Sequence, residues 1–265
     1  MNVERKDRYS SNSNFPADRH QIIRDRLAQN GRVLAAELAQ EFGISEDSVR
    51  RDLRELAAAG ACQRVYGGAI AMSNSHRPIL ERNGEHQARK QSLARSAALL
   101  VQGGQLVFLD ASTTNIEIAY VLPEQIGLTV ATNSPAIAVA LTGRDDIEVI
   151  LVGGRFDHSV GGTLGTQASL EVQRMRPDLC FLGICAIDAE TGVGAGTAED
   201  AAFKRQLVAS CGSIVAVATN EKLGTGALFN ITDIGDIGHV VVEPDADLNQ
   251  LQRLRDAGVA VVIAQ

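Results

Sequence analysis

Features that define several protein classes are missing from this 265-residue chain. Its four cysteines are Cys62, Cys180, Cys185 and Cys211, and their spacing lacks the Cys-x-x-Cys pair of zinc sites and redox centres. The first 18 residues are polar and unlike a signal peptide, and no apolar run reaches the roughly 18 residues that cross a membrane. We therefore expect a cytoplasmic protein with reduced thiols and without membrane contact, metal or cofactor.

Positive charge is scarce as well, and the chain places it unevenly. The net charge is −7 overall, but residues 1–77 carry +2 and residues 78–265 carry −9. The length is sufficient for about two domains. Only the first part of the chain therefore suits a polyanion such as DNA.

The first part of the chain has the periodicity of three short helices. The first is predicted over residues 19–29 and ends at Gly31, and the second, over residues 34–42, ends at Gly43. Ser45 is the expected N-cap of the third helix, which ends at Gly60. The next stretch, "CQRVYGGAIAM", alternates and then turns at a pair of glycines, which predicts a β-hairpin. This succession is typical of a winged helix-turn-helix.

The third predicted helix has an apolar face and a basic face. Its apolar residues recur at helical spacing and are Val49, Leu53 and Leu56. Its polar side carries Ser48, Arg50, Arg51 and Arg54. A cluster of charges on a helix is usually only solvated, but this one lies on the second helix of a helix, turn, helix unit. We therefore favour DNA binding over a solvated face.

Residues 19–71 resemble the winged helix-turn-helix of the DeoR family of bacterial transcription regulators. The family pattern S-x-x-T-[IV]-R-R-D-L is matched by "SEDSVRRDL", in which Ser48 replaces the threonine and keeps a hydroxyl. The family pattern R-x-x-G-G-A is matched at residues 64–69. The resemblance implies a DNA-binding set of Ser45, Ser48, Arg50, Arg51, Arg54, Arg64, Gly67 and Gly68.

The second part of the chain alternates between apolar strands and helical spacing. The predicted strands are "QLVFLD", "LTVATN", "IEVILVGG", "LCFLGICAID", "SIVAVATN", "HVVVEP" and "VAVVIAQ". Continuous apolar runs indicate strands that are covered on both faces, as in an α/β domain with a largely parallel sheet. The predicted organisation is a small winged helix-turn-helix domain followed by this larger α/β domain. The boundaries are a flexible arm at 1–18, the DNA-binding domain at 19–73, a linker at 74–88 and the α/β domain at 89–265.

Polar residues follow the first three of these predicted strands. They are Asp110, Ser112, Thr113 and Thr114, then Thr132, Asn133 and Ser134, and then Gly154 and Arg155. In open parallel sheets, ligands bind beyond the carboxyl ends of the strands, where helix N-termini attract phosphate. Each group alone is more easily explained as a helix N-cap. Together they favour a pocket for a polar small molecule at least as much as caps.

This region also resembles the sensor domain of the DeoR family, which is similar in fold to ribose-5-phosphate isomerase and typically binds a phosphorylated sugar. The resemblance implies that Asp200 and Lys204, in "TAEDAAFKRQ", and Lys222, in "TNEKLG", bind the effector. The last segment departs from the family pattern D-x-S-K-F-G because it has Thr219 for the aspartate and Glu221 for the serine.

An isomerase is the alternative, since Glu199 and Lys204 stand where such an enzyme would place a base and an electrophile. The D-G-A-D and K-G-G-G motifs of that enzyme family are missing, and the five histidines have no triad or metal-ligand spacing. We therefore expect a transcription regulator with no catalytic residues. The expected type of regulator is a repressor of sugar or polyol catabolism genes. Its expected partners are double-stranded operator DNA, a phosphorylated sugar and further copies of itself, as a dimer or tetramer.

Overall fold

The computed structural model describes residues 15–265, which form two compact units. The first unit extends to Met72 and includes Gly224–Gly226, and the second comprises Ser73–Leu223 and Ala227–Gln265. Within residues 15–265, no helix has both the length and the apolar character that crossing a membrane requires. The predicted arm at 1–18 falls largely outside the described residues, and its last three residues belong to a helix that begins at Pro16.

The first unit is a winged helix-turn-helix, as predicted. Its elements are α1 (Pro16–Asn30), β1 (Arg32–Leu34), α2 (Ala35–Phe42), α3 (Glu46–Ala58), β2 (Cys62–Val65) and β3 (Gly68–Ala71). Gly31 and Gly43, both with positive φ, end α1 and α2, and the Ser45 hydroxyl caps α3 by accepting the Ser48 N–H. The core contains Ile23, Leu27, Leu38, Phe42, Val49, Leu53 and Leu56.

The start of the second helix differs from the prediction. Residues 32–34 form the edge strand β1, which pairs antiparallel with β3 in a sheet of order β1-β3-β2. Leu34, predicted to be the first residue of the second helix, is instead exposed at the end of this strand. Such a short strand shows no period in the sequence, and it forms because β3 offers it a partner.

The helices of the second unit are α4 (Ile79–Arg82), α5 (Gln87–Ala98), α6 (Thr113–Tyr120), α7 (Pro135–Ala140), α8 (Thr166–Gln173), α9 (Ala198–Ser210) and α10 (Leu248–Asp256). Its strands are β4 (Leu106–Leu109), β5 (Leu128–Thr132), β6 (Ile147–Leu151), β7 (Arg155–Asp157), β8 (Gly162–Leu164), β9 (Leu179–Leu182), β10 (Ala186–Asp188), β11 (Gly192–Ala195), β12 (Ser213–Ala218), β13 (Phe229–Thr232), β14 (His239–Val242) and β15 (Ala260–Ile263). Short 3-10 turns occur at Asn74–His76 and Ile234–Asp236.

The core of the second unit is a parallel sheet of seven strands in the order β15-β14-β12-β9-β4-β5-β6. Successive side chains of one strand enter opposite apolar clusters, as Val107 and Phe108 of β4 do. Burial on both faces explains why the predicted strands read as continuous apolar runs. The chain adds strands in one direction from β4 to β6 and in the other from β9 to β15, so the topological switch point lies between β4 and β9.

Two parts of the second unit differ from the sequence prediction. The run "LCFLGICAID" forms two strands, because the chain leaves the parallel sheet after β9 and enters a small antiparallel sheet of order β10-β11-β13. The predicted linker is folded, since it contains a 3-10 turn, the helix α4 and the start of α5. Its order comes from contacts with residues distant in sequence, which a polar composition does not reveal.

Candidate functional site

The exposed side of α3 carries arginines with different surroundings. Arg50 donates to Glu46, at 2.7 Å, and to Asp47, at 3.1 Å, one turn back in its own helix. Arg51 and Arg54 are exposed, and neither forms a side-chain hydrogen bond or ion pair within the part of the chain that the structure describes. Of the predicted basic residues of this helix, these two are therefore the most available to an external partner.

A buried ion pair positions α3 in the first unit. Asp52, on the inner side of α3, accepts from Arg19 Nε at 2.8 Å and from Arg19 Nη2 at 3.0 Å. The Asp52 hydrogen bond raises the pKa of Arg19 above its ordinary value. A bidentate pair of this kind sets the orientation of both helices. Sequence reasoning did not anticipate this role of Arg19, although the R-R-D-L pattern contains its partner.

The wing depends on a close approach between β3 and β1. A Cβ at Gly68 would lie 1.9 Å from the carbonyl oxygen of Val33, so no other residue fits there. Gly67 has a φ of 74° and makes the tight turn of the hairpin. Arg64 is exposed on β2, and Tyr66 is exposed at the turn.

The second unit has a shallow cavity, open to solvent, at the carboxyl ends of β4 and β9. This is the topological switch point of the sheet, where open α/β proteins bind ligands. The N-caps of α6 and α9, Ser112 and Thr197, both line it. The full lining is Ser75, Arg77, Arg82, Ala111, Ser112, Ser159, Val160, Gly183, Ile184, Cys185, Gly196, Thr197, Asp200 and Lys204.

Lys204 and two aspartates form a buried charge cluster at one wall. Lys204 Nζ lies 2.8 Å from Asp200 Oδ2 and 3.5 Å from Asp110 Oδ2. Burial alone would lower the pKa of Lys204, but the two carboxylates outweigh burial and raise it. Burial raises the pKa of Asp110 to about 6 against the pull of Lys204. Asp200 Oδ1 is buried and accepts no hydrogen bond within residues 15–265.

The other predicted effector residues are mostly committed to internal hydrogen bonds. Thr132 Oγ1 donates to the Leu109 carbonyl, and Asn133 accepts the Ala111 N–H and donates to the Thr163 carbonyl. The Ser134 hydroxyl donates to the Gly161 carbonyl. These bonds hold the loops after β4 and β5 to the β7-β8 hairpin, and none of the three residues lines the cavity.

The remaining predicted effector-binding residues include a helix N-cap, an exposed arginine and residues outside the cavity lining. The Ser112 hydroxyl accepts the N–H groups of Thr114 and Asn115 and so caps α6, although the residue also lines the cavity. Arg155 is exposed and pairs with Glu199, outside the lining. The others outside the lining are Asp110, Thr113, Thr114, Gly154 and Lys222. The lining residues that sequence reasoning missed include Arg77 and Arg82, which lie in a polar stretch without any periodic pattern.

Comparison with known proteins gives matches along most of the chain. The family model of the DeoR-like helix-turn-helix domain matches residues 19–75, and that of the DeoR C terminal sensor domain matches residues 85–244. The HTH-type transcriptional regulator GlpR of Haloferax volcanii is 30% identical over 250 residues, which are 94% of this chain and 98% of that protein. The glycerol-3-phosphate regulon repressor of Escherichia coli K12 is 29% identical over 240 residues, which are 90% and 95% of the two chains.

Solved structures are more distant. The full-length sorbitol operon regulator SorC from Klebsiella pneumoniae has a TM-score of 0.41 and 13% identity, over 90% of this chain and 98% of that one. A ribose 5-phosphate isomerase A from Methanocaldococcus jannaschii has a TM-score of 0.39 and 13% identity, over 52% of this chain and 55% of that one.

Proposed function

The chain belongs to the DeoR family of transcription regulators, and from this membership we propose that a phosphorylated sugar or polyol in the cavity controls its binding to operator DNA. The winged helix-turn-helix supplies the DNA-binding surface through α3 and the wing. The cavity of the second unit supplies the effector site. The names of the relatives, which include a glycerol-3-phosphate regulon repressor, agree with an effector of this class.

The observation that carries the effector class is a basic cluster that reaches the cavity through Arg82. Arg82 lines the cavity, whereas the buried Lys90 and Lys222 lie outside the lining; Lys90 donates to the Arg82 carbonyl at 2.8 Å, and the charge of Lys222 is repelled by that of Arg82. Burial lowers the pKa of all three, and in each case a neighbouring arginine or lysine lowers it further. This concentration of cations, in a part of the chain with net charge −9, is relieved when an anion binds.

The acidic wall of the cavity suits the hydroxyl groups of the same ligand. Asp200 Oδ1 is a buried acceptor without a donor among residues 15–265, and a sugar or polyol hydroxyl can donate to it. A ligand with a phosphate at one end and hydroxyls at the other satisfies both walls.

A thermal-shift screen tests this proposal. Phosphorylated sugars and polyols should raise the melting temperature of the full chain, since a ligand that binds only the native state stabilises it by about 2.7 kcal/mol at a hundred times its Kd. Each compound is paired with its unphosphorylated parent, which should have no comparable effect. Equal shifts for both members of every pair would contradict a phosphate-binding cavity.

The alternative, an isomerase, receives no specific support from the cavity. Glu199, the candidate base, pairs with Arg155 and does not line the cavity. We propose that the second unit senses its ligand without converting it. Turnover of a pentose phosphate by the full chain, measured by product formation, would contradict this.

A further inference from the structure

Residues 73–86, called here the connector, are packed against the second unit. The Ser73 hydroxyl donates to the Cys185 carbonyl at 2.7 Å, and the Ile79 N–H donates to the Ser159 carbonyl at 2.8 Å. The buried Ile79 side chain lies so close to Gly161 that a Cβ there would be 2.7 Å from Ile79 Cγ2. The connector is thus an ordered wall of the second unit.

The connector brings to the cavity a cation that forms no ion pair among residues 15–265. Arg77 and Arg82 both line the cavity, but Arg77 donates to both oxygens of Glu85, at 2.9 and 3.1 Å. Arg82 Nε donates only to the Arg77 carbonyl, at 2.8 Å, and Arg82 has no carboxylate partner within residues 15–265. Burial lowers the pKa of the Arg82 guanidinium, and the like charge of Arg77 adds to this effect, while the charges of Asp200 and Glu85 oppose it.

Arg82 lies in the segment of the chain that joins the first unit to the second. The connector begins directly after Met72, where the N-terminal stretch of the first unit ends. The Arg82 carbonyl also accepts the Lys90 ammonium at 2.8 Å, so the same turn of α4 is held to the first turn of α5. A ligand that attracts Arg82 therefore changes the stability of the segment that links the two units covalently.

We propose that Arg82 binds the anionic group of the effector, and that the connector is the element through which cavity occupancy reaches the DNA-binding unit. This inference rests on the proposed function. The arginine fork can donate two hydrogen bonds to one phosphate. In the unliganded protein Arg82 lines the cavity without a carboxylate partner among residues 15–265, and a bound phosphate supplies the counter-charge that holds the connector more firmly to the cavity. A ligand that contacts Arg82 better in one arrangement of the connector shifts the equilibrium toward that arrangement.

A tryptophan reporter can observe the connector directly, because the chain contains no tryptophan. Leu80 is 78% exposed on the connector, and Leu248 is 74% exposed on α10, so L80W and L248W are a matched pair. The probes are inorganic phosphate and the sugar and polyol phosphates of the thermal-shift screen. Each probe that raises the melting temperature should change the emission of L80W with the same midpoint, and should leave L248W unchanged.

Charge variants test the role of Arg82 itself. R82Q keeps a donor but loses the charge, and it should weaken binding of the stabilising phosphates by about ten- to a hundredfold. R82K should recover part of this loss, and R174Q, at an exposed arginine of the same unit, should bind within about twofold of the parent. Circular dichroism checks that each variant is folded.

The outcomes separate this inference from the function on which it rests. If no phosphorylated compound stabilises the parent, the proposed function fails and the inference fails with it. If compounds bind but L80W does not respond, or R82Q binds them like the parent, the effector site stands and the connector is not its sensing element. The L80W measurement decides the matter even if R82Q fails to fold.

Discussion

The arginines of α3 differ in what they contact, and this difference predicts different roles in DNA binding. Arg50 forms exposed ion pairs with the carboxylates of Glu46 and Asp47, and it must give up these weak contacts before it can bind a base. Arg51 and Arg54 have no such partners within residues 15–265. A fork of free donors is what recognition of guanine in the major groove requires.

We therefore expect R51A to reduce sequence discrimination and R50A to weaken binding to all duplexes by a similar factor. A bidentate base contact is worth about 1–3 kcal/mol, so R51A should reduce affinity for a selected operator by about 5- to 150-fold and hardly change that for random DNA. Anisotropy titrations with a duplex selected from a random library, and with a scrambled one, measure both. Equal losses on both duplexes for R51A would show that this residue contacts only phosphate.

The lowered pKa of Lys222 predicts that effector binding depends on pH. Burial lowers the pKa of Lys222 to about 8, and the like charges of Arg82, Lys90 and Lys204 contribute. If a bound phosphate raises this pKa again, binding takes up a proton above pH 8, and affinity falls as the pH rises. Well below pH 8 the lysine is protonated with or without ligand, so Lys222 contributes no pH dependence there.

Calorimetry across this range measures the effect. The affinity of the unmodified protein for its phosphorylated ligand should fall by up to about tenfold per pH unit above pH 8. The K222M variant should bind the ligand more weakly, and its affinity should not change with pH over the same interval. The same slope in K222M and the parent would assign the proton to another group.

At the level of elements, the wing depends on one residue without a side chain. Gly68 lies against the Val33 carbonyl, where any Cβ would overlap backbone that cannot move aside. G68A should therefore separate β3 from β1, destabilise the first unit by about 1–3 kcal/mol and abolish operator binding. Gly67 makes the turn without any such contact, and Asn tolerates positive φ, so G67N is the matched control.

Thermal unfolding and operator titrations compare the two wing variants. Effector binding should persist in both, since the second unit has apolar clusters of its own. A G68A protein with the melting profile of G67N and the operator affinity of the unmodified protein would contradict this account of the wing.

Helices and strands with a regular apolar period could be predicted from the sequence. Short strands that form only by hydrogen bonding to a strand distant in sequence could not. The seven strands of the parallel sheet and the three helices of the first unit follow from apolar spacing, because each must cover a core. β1 and the hairpins around the cavity are short, and they form because a distant strand offers hydrogen bonds. The same limit applies to the site: Lys204 lies in a patterned helix, whereas Arg82 reaches the cavity only through the folding of the connector.

At the level of the whole molecule, the distribution of charge separates two tasks. The net charge of residues 1–77 is +2 and that of residues 78–265 is −9, so bulk electrostatics favour DNA only at the first unit. One recognition helix reads too few base pairs for selectivity, and we propose that the chain binds DNA as a dimer or larger assembly on two half-sites about 34 Å apart.

One titration measures whether a phosphorylated ligand in the second unit controls DNA binding by the first. The affinity of the full chain for its selected operator duplex is measured with and without a saturating concentration of the phosphate that stabilises it most. A coupling of about 1–3 kcal/mol predicts a change of about 5- to 150-fold, absent with the unphosphorylated parent compound. An operator affinity that stays the same while the cavity is saturated would contradict the account.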